Sequence, residues 1–244
     1  MTVTTTTSPP TSPRQVRSPR GALLGVTGAG VAVAVALALL GFAGQLTPEV
    51  EPGLPVPGTA TQAGLPIATA LRDIATAIAL CLTILGDWWP LLAALVIVLA
   101  ALLDGIDGAI AAQTGTASRW GRINDSVADR FSDVMLVGIV VVVGAPPWLG
   151  ATIAVLTLIL EITRATAQAV GMKGPGTVTV WERPSRVILA VVATVSAGSW
   201  WCAGLSSAVA SGLALFIAAI GAGLALIGTV QLGIAVRRQT RRLG

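Results

Sequence analysis

The chain has 244 residues, of which 54% are hydrophobic and only 11% are charged, and its formal net charge is +4. One water-soluble core cannot bury so much apolar surface, so the composition excludes an ordinary soluble domain and indicates a membrane protein. The chain contains no histidine and no tyrosine, and its two cysteines lack metal-site spacing. Any chemistry must therefore depend on carboxylates, guanidinium groups and a bound cation.

The elements predicted along the chain give an all-α, polytopic membrane protein, with a six-helix core and one extra N-terminal helix. Residues 1–20, rich in Thr, Ser and Pro, are predicted to be a disordered basic tail. Residues 21–46 are predicted to form the extra helix, residues 47–65 a Pro/Gly-rich linker, and residues 66–244 the core domain. Apolar segments that predict helices lie at 22–44, 66–86, 88–111, 123–145, 147–170, 184–202 and 206–236.

The distribution of basic residues predicts the topology. Beyond the tail, Lys and Arg occur only on alternate connections of the six-helix core and at its two ends, whereas the connections near 87, 146 and 204 have none. The positive-inside rule then predicts a multi-pass protein of the cell membrane whose charged connections face the cytoplasm. The orientation of segment 22–44 stays open, because a seventh span would put the basic tail outside.

The most unusual stretch is 102–133, where five aspartates and three arginines interrupt the apolar pattern. Asp104 and Asp107 are three residues apart, and Asp125 and Asp129 are four apart, so each pair lies on one helix face. Clustered carboxylates repel one another unless a cation joins them. Oxygen ligands favour a hard ion, Mg²⁺ first and Mn²⁺ second, and two ions could be bridged. Structural ion pairs or the ion pathway of a transporter remain alternatives.

This stretch resembles the signature of the CDP-alcohol phosphatidyltransferases. The family pattern is Asp-x-x-Asp-Gly-x-x-Ala-Arg, about eight residues, then Gly-x-x-x-Asp-x-x-x-Asp. The sequence has DGIDGAIA at 104–111 and GRINDSVAD at 121–129, which match seven of the eight positions compared. The departure is Ala112, where the family has an arginine that is expected to help hold the diphosphate. Thr69 and Arg72 also resemble the Thr-x-x-Arg that often opens the family's first helix.

The resemblance implies an enzyme, its cofactor and its site. Six transmembrane helices would carry a site at the cytoplasmic surface, which moves a phosphatidyl group from CDP-diacylglycerol to a polar alcohol and releases CMP in phospholipid biosynthesis. It implies that Asp129 is the general base. The implied metal ligands are Asp104, Asp107, Asp125 and Asp129, and the implied nucleotide contacts are Gly108, Ala111, Ser118 and Gly121.

A basic connection between the fourth and fifth core helices is the candidate acceptor region. ERPSR at 182–186 resembles the Glu-Arg-Pro-x-Arg of actinobacterial phosphatidylinositol phosphate synthases, which implies inositol phosphate as acceptor, with glycerol 3-phosphate second. The predicted phosphate-binding residues are Arg164, Lys173, Arg183 and Arg186. The alternative for these cations is a topological role beside lipid headgroups.

The predicted partners are therefore a CDP-lipid, the alcohol acceptor and membrane lipids, and no nucleic acid. Gly/Ala-rich runs in the last segment allow close packing and suggest a homodimer interface. Two other functions stay open. Ala112 is compatible with a catalytically impaired membrane scaffold, and a carboxylate-lined ion transporter is disfavoured because the remaining core acids lie mostly near helix ends.

Overall fold

The computed structural model describes residues 59–114, 119–172 and 178–241, and within them the side chains of 59–68, 106–114, 119–122, Asn124 and Ser207 are not described. The predicted tail and extra N-terminal helix lie outside these ranges. The described chain is all-helical and has no strand, as predicted. Its six helices are α1 Thr59–Leu85, α2 Trp89–Thr114, α3 Arg119–Val143, α4 Pro147–Ala169, α5 Arg183–Ala203 and α6 Ser207–Thr240.

Three short connections, at 86–88, 144–146 and 204–206, fold the chain into the helical hairpins α1/α2, α3/α4 and α5/α6. The third shows how the sequence stops a helix. Gly204 adopts the left-handed conformation, φ 63°, and its N–H bonds to carbonyls of the last turn of α5. Glycine has no Cβ to oppose that conformation. These turns lie at the helix ends opposite the ion-paired residues.

The six helices begin and end close to the apolar segments read from the sequence, and the largest difference is at the start of α1. That helix begins at Thr59, inside the stretch 47–65 that was interpreted as a linker. Such differences are expected, since apolar periodicity marks the packed part of a helix and polar first turns carry no such signal.

Helix α3 lies at the centre of the bundle, in contact with α1, α4 and α5. One core cluster joins α1, α2, α3 and α5 around Leu80, Ile97 and Ile139. The second joins α3, α4, α5 and α6 around Ile153 and Leu160. Many buried positions are alanine, which lets the helix backbones approach closely. The fold therefore fixes the charged ends of the hairpins against one central helix.

Three of the described helices are long and apolar enough to cross a membrane: Pro147–Ala169, Arg183–Ala203 and Ala208–Thr240. Large apolar side chains on the outer faces are exposed, among them Trp148, Ile188 and Phe216. A surface of this kind is stable in hydrocarbon and unfavourable in water. The described part of the chain is therefore that of an all-helical membrane protein.

Candidate active site

Three of the predicted metal-binding aspartates converge on one buried arginine. The Nη1 nitrogen of Arg72, on α1, lies 2.5 Å from Asp104 Oδ1, 2.9 Å from Asp129 Oδ1 and 3.6 Å from Asp125 Oδ1. Asp104 is on α2, and the other two are on α3. Asp104 from the first pair of the motif and Asp125 and Asp129 from the second therefore lie around one guanidinium nitrogen.

A neighbouring carboxylate orients Arg72. Asp73 accepts hydrogen bonds from both Nε and Nη2 of Arg72, each at 3.1 Å, and both side chains are only 3% exposed. With these two nitrogens held by Asp73, Nη1 points toward the aspartates of α2 and α3. Because both nitrogens donate to the same oxygen, Asp73 Oδ1, the guanidinium group has little rotational freedom. Asp73 thus holds the Nη1 nitrogen of Arg72 against the aspartate cluster.

A second arginine approaches the same carboxylates from α5. The Nη1 nitrogen of Arg183 lies 3.2 Å from Asp104 Oδ2 and donates a hydrogen bond to Asp129 Oδ1. Its Nη2 donates to Ser132 Oγ at 3.1 Å. Arg183 therefore connects the aspartate cluster to the helix that carries the predicted acceptor residues.

A buried ion-pair network continues from this point, one turn further along α3. Arg186 donates to Asp133, and its Nη2 lies 2.7 Å from Glu161 Oε1 on α4. Arg130 faces the same two acids, 3.1 Å from Glu161 and 3.6 Å from Asp133. The ladder of Asp129 and Asp133 on α3 is thereby paired with Arg183 and Arg186 on α5.

The segment before α5 is held by Glu182. Its carboxylate accepts bonds from Arg164 at 2.7 and 3.1 Å and from the backbone N–H of Thr179 at 2.8 Å. Partial burial alone would raise the pKa of Glu182, but these hydrogen bonds outweigh it and lower the pKa below its usual 4.5. Glu182 is consequently ionised at neutral pH and pairs firmly with Arg164.

Trp181 anchors the same segment to two helices. Its side chain is fully buried, and its indole N–H donates to Thr157 Oγ1 on α4 at 2.8 Å. On α6, Gly228 faces it so closely that an added Cβ would lie 2.6 Å from the Cβ of Trp181. Glu182, the next residue in the chain, is therefore held in a fixed position.

The structure describes only some of the predicted site residues. It brings together Asp104, Asp125 and Asp129 with Arg183, and it places Arg164 and Arg186 in the adjoining network. Asp107, Gly108, Ala111 and Ala112 belong to α2, and Gly121 to α3, but their side chains are outside the described set. Ser118 and Lys173 lie outside the described residues, so their predicted roles stay predictions.

Sequence reasoning did not assign three residues that the structure puts in the network: Arg72, Asp73 and Glu161. The Thr-x-x-Arg pattern drew attention to Arg72, but nothing in it indicates contact with aspartates more than thirty residues away. Glu161 had a usable signal, since it is an acid inside an otherwise apolar segment, and such residues are paired or functional. Of its three arginine partners, Arg164 lies three residues further along the same helix and is readable from spacing, whereas Arg130 on α3 and Arg186 on α5 are not.

The donor set fits a hard cation in its chemistry. The described side chains around Arg72 offer carboxylate oxygens and no sulfur or nitrogen ligand. Among the residues with described side chains, no three acids surround a common point at metal-binding geometry, because the guanidinium nitrogens of Arg72 and Arg183 lie between them. Asp107, the fourth carboxylate of the motif, is not in that described set.

Comparison with known proteins finds relatives of two kinds, phosphatidylinositol phosphate synthases and archaetidylinositol phosphate synthases. The phosphatidylinositol phosphate synthase of Mycolicibacterium smegmatis is 31% identical over 154 residues, covering 57% of this chain and 65% of that protein. The archaetidylinositol phosphate synthase of Aeropyrum pernix is 37% identical over 108 residues, covering 43% of this chain and 54% of that protein. The matched segments thus span little more than half to two thirds of these relatives.

Two crystal structures of the phosphatidylinositol phosphate synthase of Mycobacterium tuberculosis share the fold. One, in complex with manganese and citrate, is 23% identical with a TM-score of 0.52 and covers 72% of this chain and 81% of that one. The other, with CDP-DAG bound, is 21% identical with a TM-score of 0.52 and covers 85% and 92%. At this identity the likeness establishes the helical architecture.

The family model described as CDP-alcohol phosphatidyltransferase matches residues 65–230, which is more than half of the chain. That range contains both halves of the aspartate motif and the segment that carries Glu182 and Arg183. The resemblance read from the sequence is confirmed, and the chain belongs to the CDP-alcohol phosphatidyltransferase family.

Proposed function

We propose that this protein transfers a phosphatidyl group from CDP-diacylglycerol to inositol phosphate and releases CMP, as a step of phospholipid biosynthesis. The observation that carries the proposal is that Asp104, Asp125 and Asp129, from two helices, all lie within 3.6 Å of the Nη1 nitrogen of Arg72 on a third. The acceptor is inferred from the curated relatives, all of which are named as inositol phosphate lipid synthases. Glycerol 3-phosphate is the second candidate.

Charge supports a divalent metal cofactor. The described ion pairs contain seven carboxylates and five guanidinium groups, an excess of two negative charges. Asp104, Asp107, Asp125 and Asp129 would hold Mg²⁺ or Mn²⁺, as two ions, and manganese is present in one structural neighbour. Bound there, the metal supplies neutralisation of charge on the diphosphate and on the departing CMP.

The chain's own residues account for the remaining chemistry. The hydroxyl oxygen of the acceptor forms a bond to the phosphorus that carries the lipid, and the bond from that phosphorus to the CMP oxygen breaks. Asp129 accepts the hydroxyl proton. Arg183 lies 3.2 Å from Asp104 and also bonds to Asp129, so it holds the two halves of the motif together on the side facing α5.

The substrates would lie on either side of this carboxylate cluster. Gly108, Ala111, Ser118 and Gly121 are proposed to contact the nucleotide, because small side chains leave room for the base and ribose. On the other side, Arg164 and Arg183, with side chains 18% and 24% exposed, would meet the acceptor phosphate together with Lys173. Partial exposure leaves these arginines accessible from the aqueous side.

The proposed setting is the cell membrane. All six described helices, and the predicted helix at 22–44, would span it, with the charged ends facing the cytoplasm as the basic residues indicate. The charged residues of five helices do meet at one end of the described bundle, which supports a single site at one membrane surface. A homodimer through the Gly/Ala-rich part of α6 is proposed as its assembled form.

The test uses the full-length protein in lipid nanodiscs with CDP-diacylglycerol and Mn²⁺ or Mg²⁺. Release of CMP is followed separately with inositol phosphate, glycerol 3-phosphate and unphosphorylated inositol, and the expected substrate is the first. Turnover with glycerol 3-phosphate alone would overturn the acceptor assignment. If neither wild type nor Ala112→Arg released CMP with any acceptor, the enzyme proposal would fail in favour of a scaffold. Metal-independent ion flux through liposomes would instead indicate a transporter.

A further inference from the structure

Arg186 differs from the other arginines near the site in how completely it is enclosed. Its side chain is 3% exposed, compared with 32% for Arg130, 18% for Arg164 and 24% for Arg183. Both of its terminal nitrogens already meet carboxylates, Asp133 on α3 and Glu161 on α4. A diffusing phosphate could reach Arg186 only by displacing two buried acids.

The two acids are as enclosed as the arginine. The side chains of Asp133 and Glu161 are 2% and 8% exposed. A buried ion bridge gains its attraction at the cost of desolvating every member, so removing one member leaves an uncompensated charge in an apolar interior. The three residues therefore act as one unit, whose geometry is tightly set.

This bridge joins three helices at a position where ordinary packing is sparse. Helix α4 packs on α3 and α6, but it has few direct contacts with α5. The pair of Glu161 with Arg186 is thus one of the direct links from α4 to the start of α5. Arg183 lies three residues before Arg186 on the same helix, so a rotation or shift at Arg186 is passed to Arg183 within one turn.

We propose that Arg186 is a positioning residue and does not bind the acceptor: the buried bridge Asp133–Arg186–Glu161 holds the first turn of α5 so that Arg183 reaches Asp104 and Asp129. The inference deepens the proposed function and rests on it. It assigns Asp133 and Glu161 to the same task. Acceptor recognition is left to the more exposed cations.

The decisive variant replaces the whole bridge by apolar residues, Asp133→Leu, Glu161→Leu and Arg186→Met, and is compared with Arg186→Met alone. Arg130 loses both of its acid partners in this variant, but its side chain is 32% exposed and can turn to solvent. Well-packed apolar replacements of a buried ionic triad can preserve stability, whereas removal of one partner strands the others. Arg186→Met is expected to lower the melting temperature by about 10 °C. The triple variant is expected to recover both stability and CMP release, with KM for inositol phosphate within about threefold of wild type.

A milder second variant, Glu161→Gln, keeps Asp133 on Arg186 and an amide oxygen in place of the carboxylate. It is expected to lower kcat about tenfold through the displaced Arg183. Because Arg183 is also proposed to contact the acceptor phosphate, any rise in KM for inositol phosphate should accompany this loss of kcat. If the triple variant does not fold, Glu161→Gln still tests whether the bridge positions Arg183. Arg238→Gln, at the exposed end of α6, is the control for loss of an arginine and is expected to behave like wild type.

Two results of the activity assays would overturn the assignment. One is a triple variant that melts like wild type but has a KM for inositol phosphate raised about tenfold or more, the change expected on loss of a phosphate ligand. The other is Glu161→Gln with raised KM at unchanged kcat. Failure of the proposed function is separable, because wild type would then release no CMP. The structural role of the bridge would still be tested by melting temperatures, and it would be refuted if Arg186→Met melted at the wild-type temperature.

Discussion

Replacing Gly228 by alanine tests how the site is held in place. An added Cβ would lie 2.6 Å from the Cβ of Trp181, 3.2 Å from its backbone nitrogen and 3.4 Å from Leu160 Cδ1. The first two neighbours are not flexible side-chain ends, so they cannot turn aside. We expect Trp181 to be displaced, together with the segment that leads into α5.

The magnitude follows from a comparison within α6. At Gly223 an added Cβ meets nothing within 4 Å, so Gly223→Ala carries the same change in helix propensity without the clash. Overpacking a tight contact costs about 1 to 3 kcal/mol. For a chain of this size, Gly228→Ala should therefore melt roughly 2 to 12 °C below Gly223→Ala.

The functional consequence should follow the stability difference. Trp181 is followed directly by Glu182 and Arg183, and Arg183 contacts Asp104 and Asp129. A displacement of about 1 Å at a reacting geometry can lower turnover by as much as a hundredfold. The assay compares melting in nanodiscs and CMP release for both alanine variants. Equal melting temperatures and equal turnover would refute the anchoring role of Trp181.

Four further outcomes are expected. Arg72→Gln should be destabilised by about 3 to 5 kcal/mol, because it leaves the buried carboxylate of Asp73 without its ion-pair partner. Adding Asp73→Asn should recover part of that loss, and a double-mutant cycle of melting measurements gives the coupling. Thr157→Val should cost about 1 kcal/mol through the lost indole hydrogen bond, seen as a lower melting temperature with the bundle intact. Folding lowers the pKa of Glu182, so the stability that its ion pair contributes is complete above pH 4.5 and is lost as the pH falls through the folded-state pKa. The difference in melting temperature between wild type and Glu182→Gln should therefore disappear below the folded-state pKa. Chelation should abolish CMP release, and added Mn²⁺ should raise the melting temperature of wild type more than that of Asp104→Asn.

The helices were largely predictable from the sequence. Apolar segments, several of them long enough to span a membrane and separated by Gly- and Pro-containing turns, predict six helices. Their bounds agree with the structure within a few residues, except at the start of α1. This succeeds because the pattern is local: helix formation satisfies its own backbone groups, and a membrane leaves few other conformations. The start of α1 was missed because its first residues are polar.

The site was predictable only in part. The i, i+4 spacing put Asp125 and Asp129 on one face of α3, and both lie near Asp104 of α2 around Arg72. The i, i+3 pairing of Asp104 with Asp107 stays a prediction, because the side chain of Asp107 is outside the described set. Which cations they meet was not accessible, since Arg72 and Arg183 come from helices distant in sequence. Arg186 was interpreted as one of four equivalent cations, and only burial distinguishes it from Arg164 and Arg183.

The sequence by itself determined that the protein is an all-helical membrane protein, that a cluster of carboxylates interrupts its apolar segments and that its family is that of the CDP-alcohol phosphatidyltransferases. These properties depend on composition and short-range spacing, which every copy of the chain carries before it folds. The tertiary structure decided which charges meet. Electrostatic pairing depends on distance and burial, and in a helical bundle both are set by how separate hairpins pack, so the partners of Asp129, Asp133 and Glu161 emerged only when α3, α4 and α5 came together.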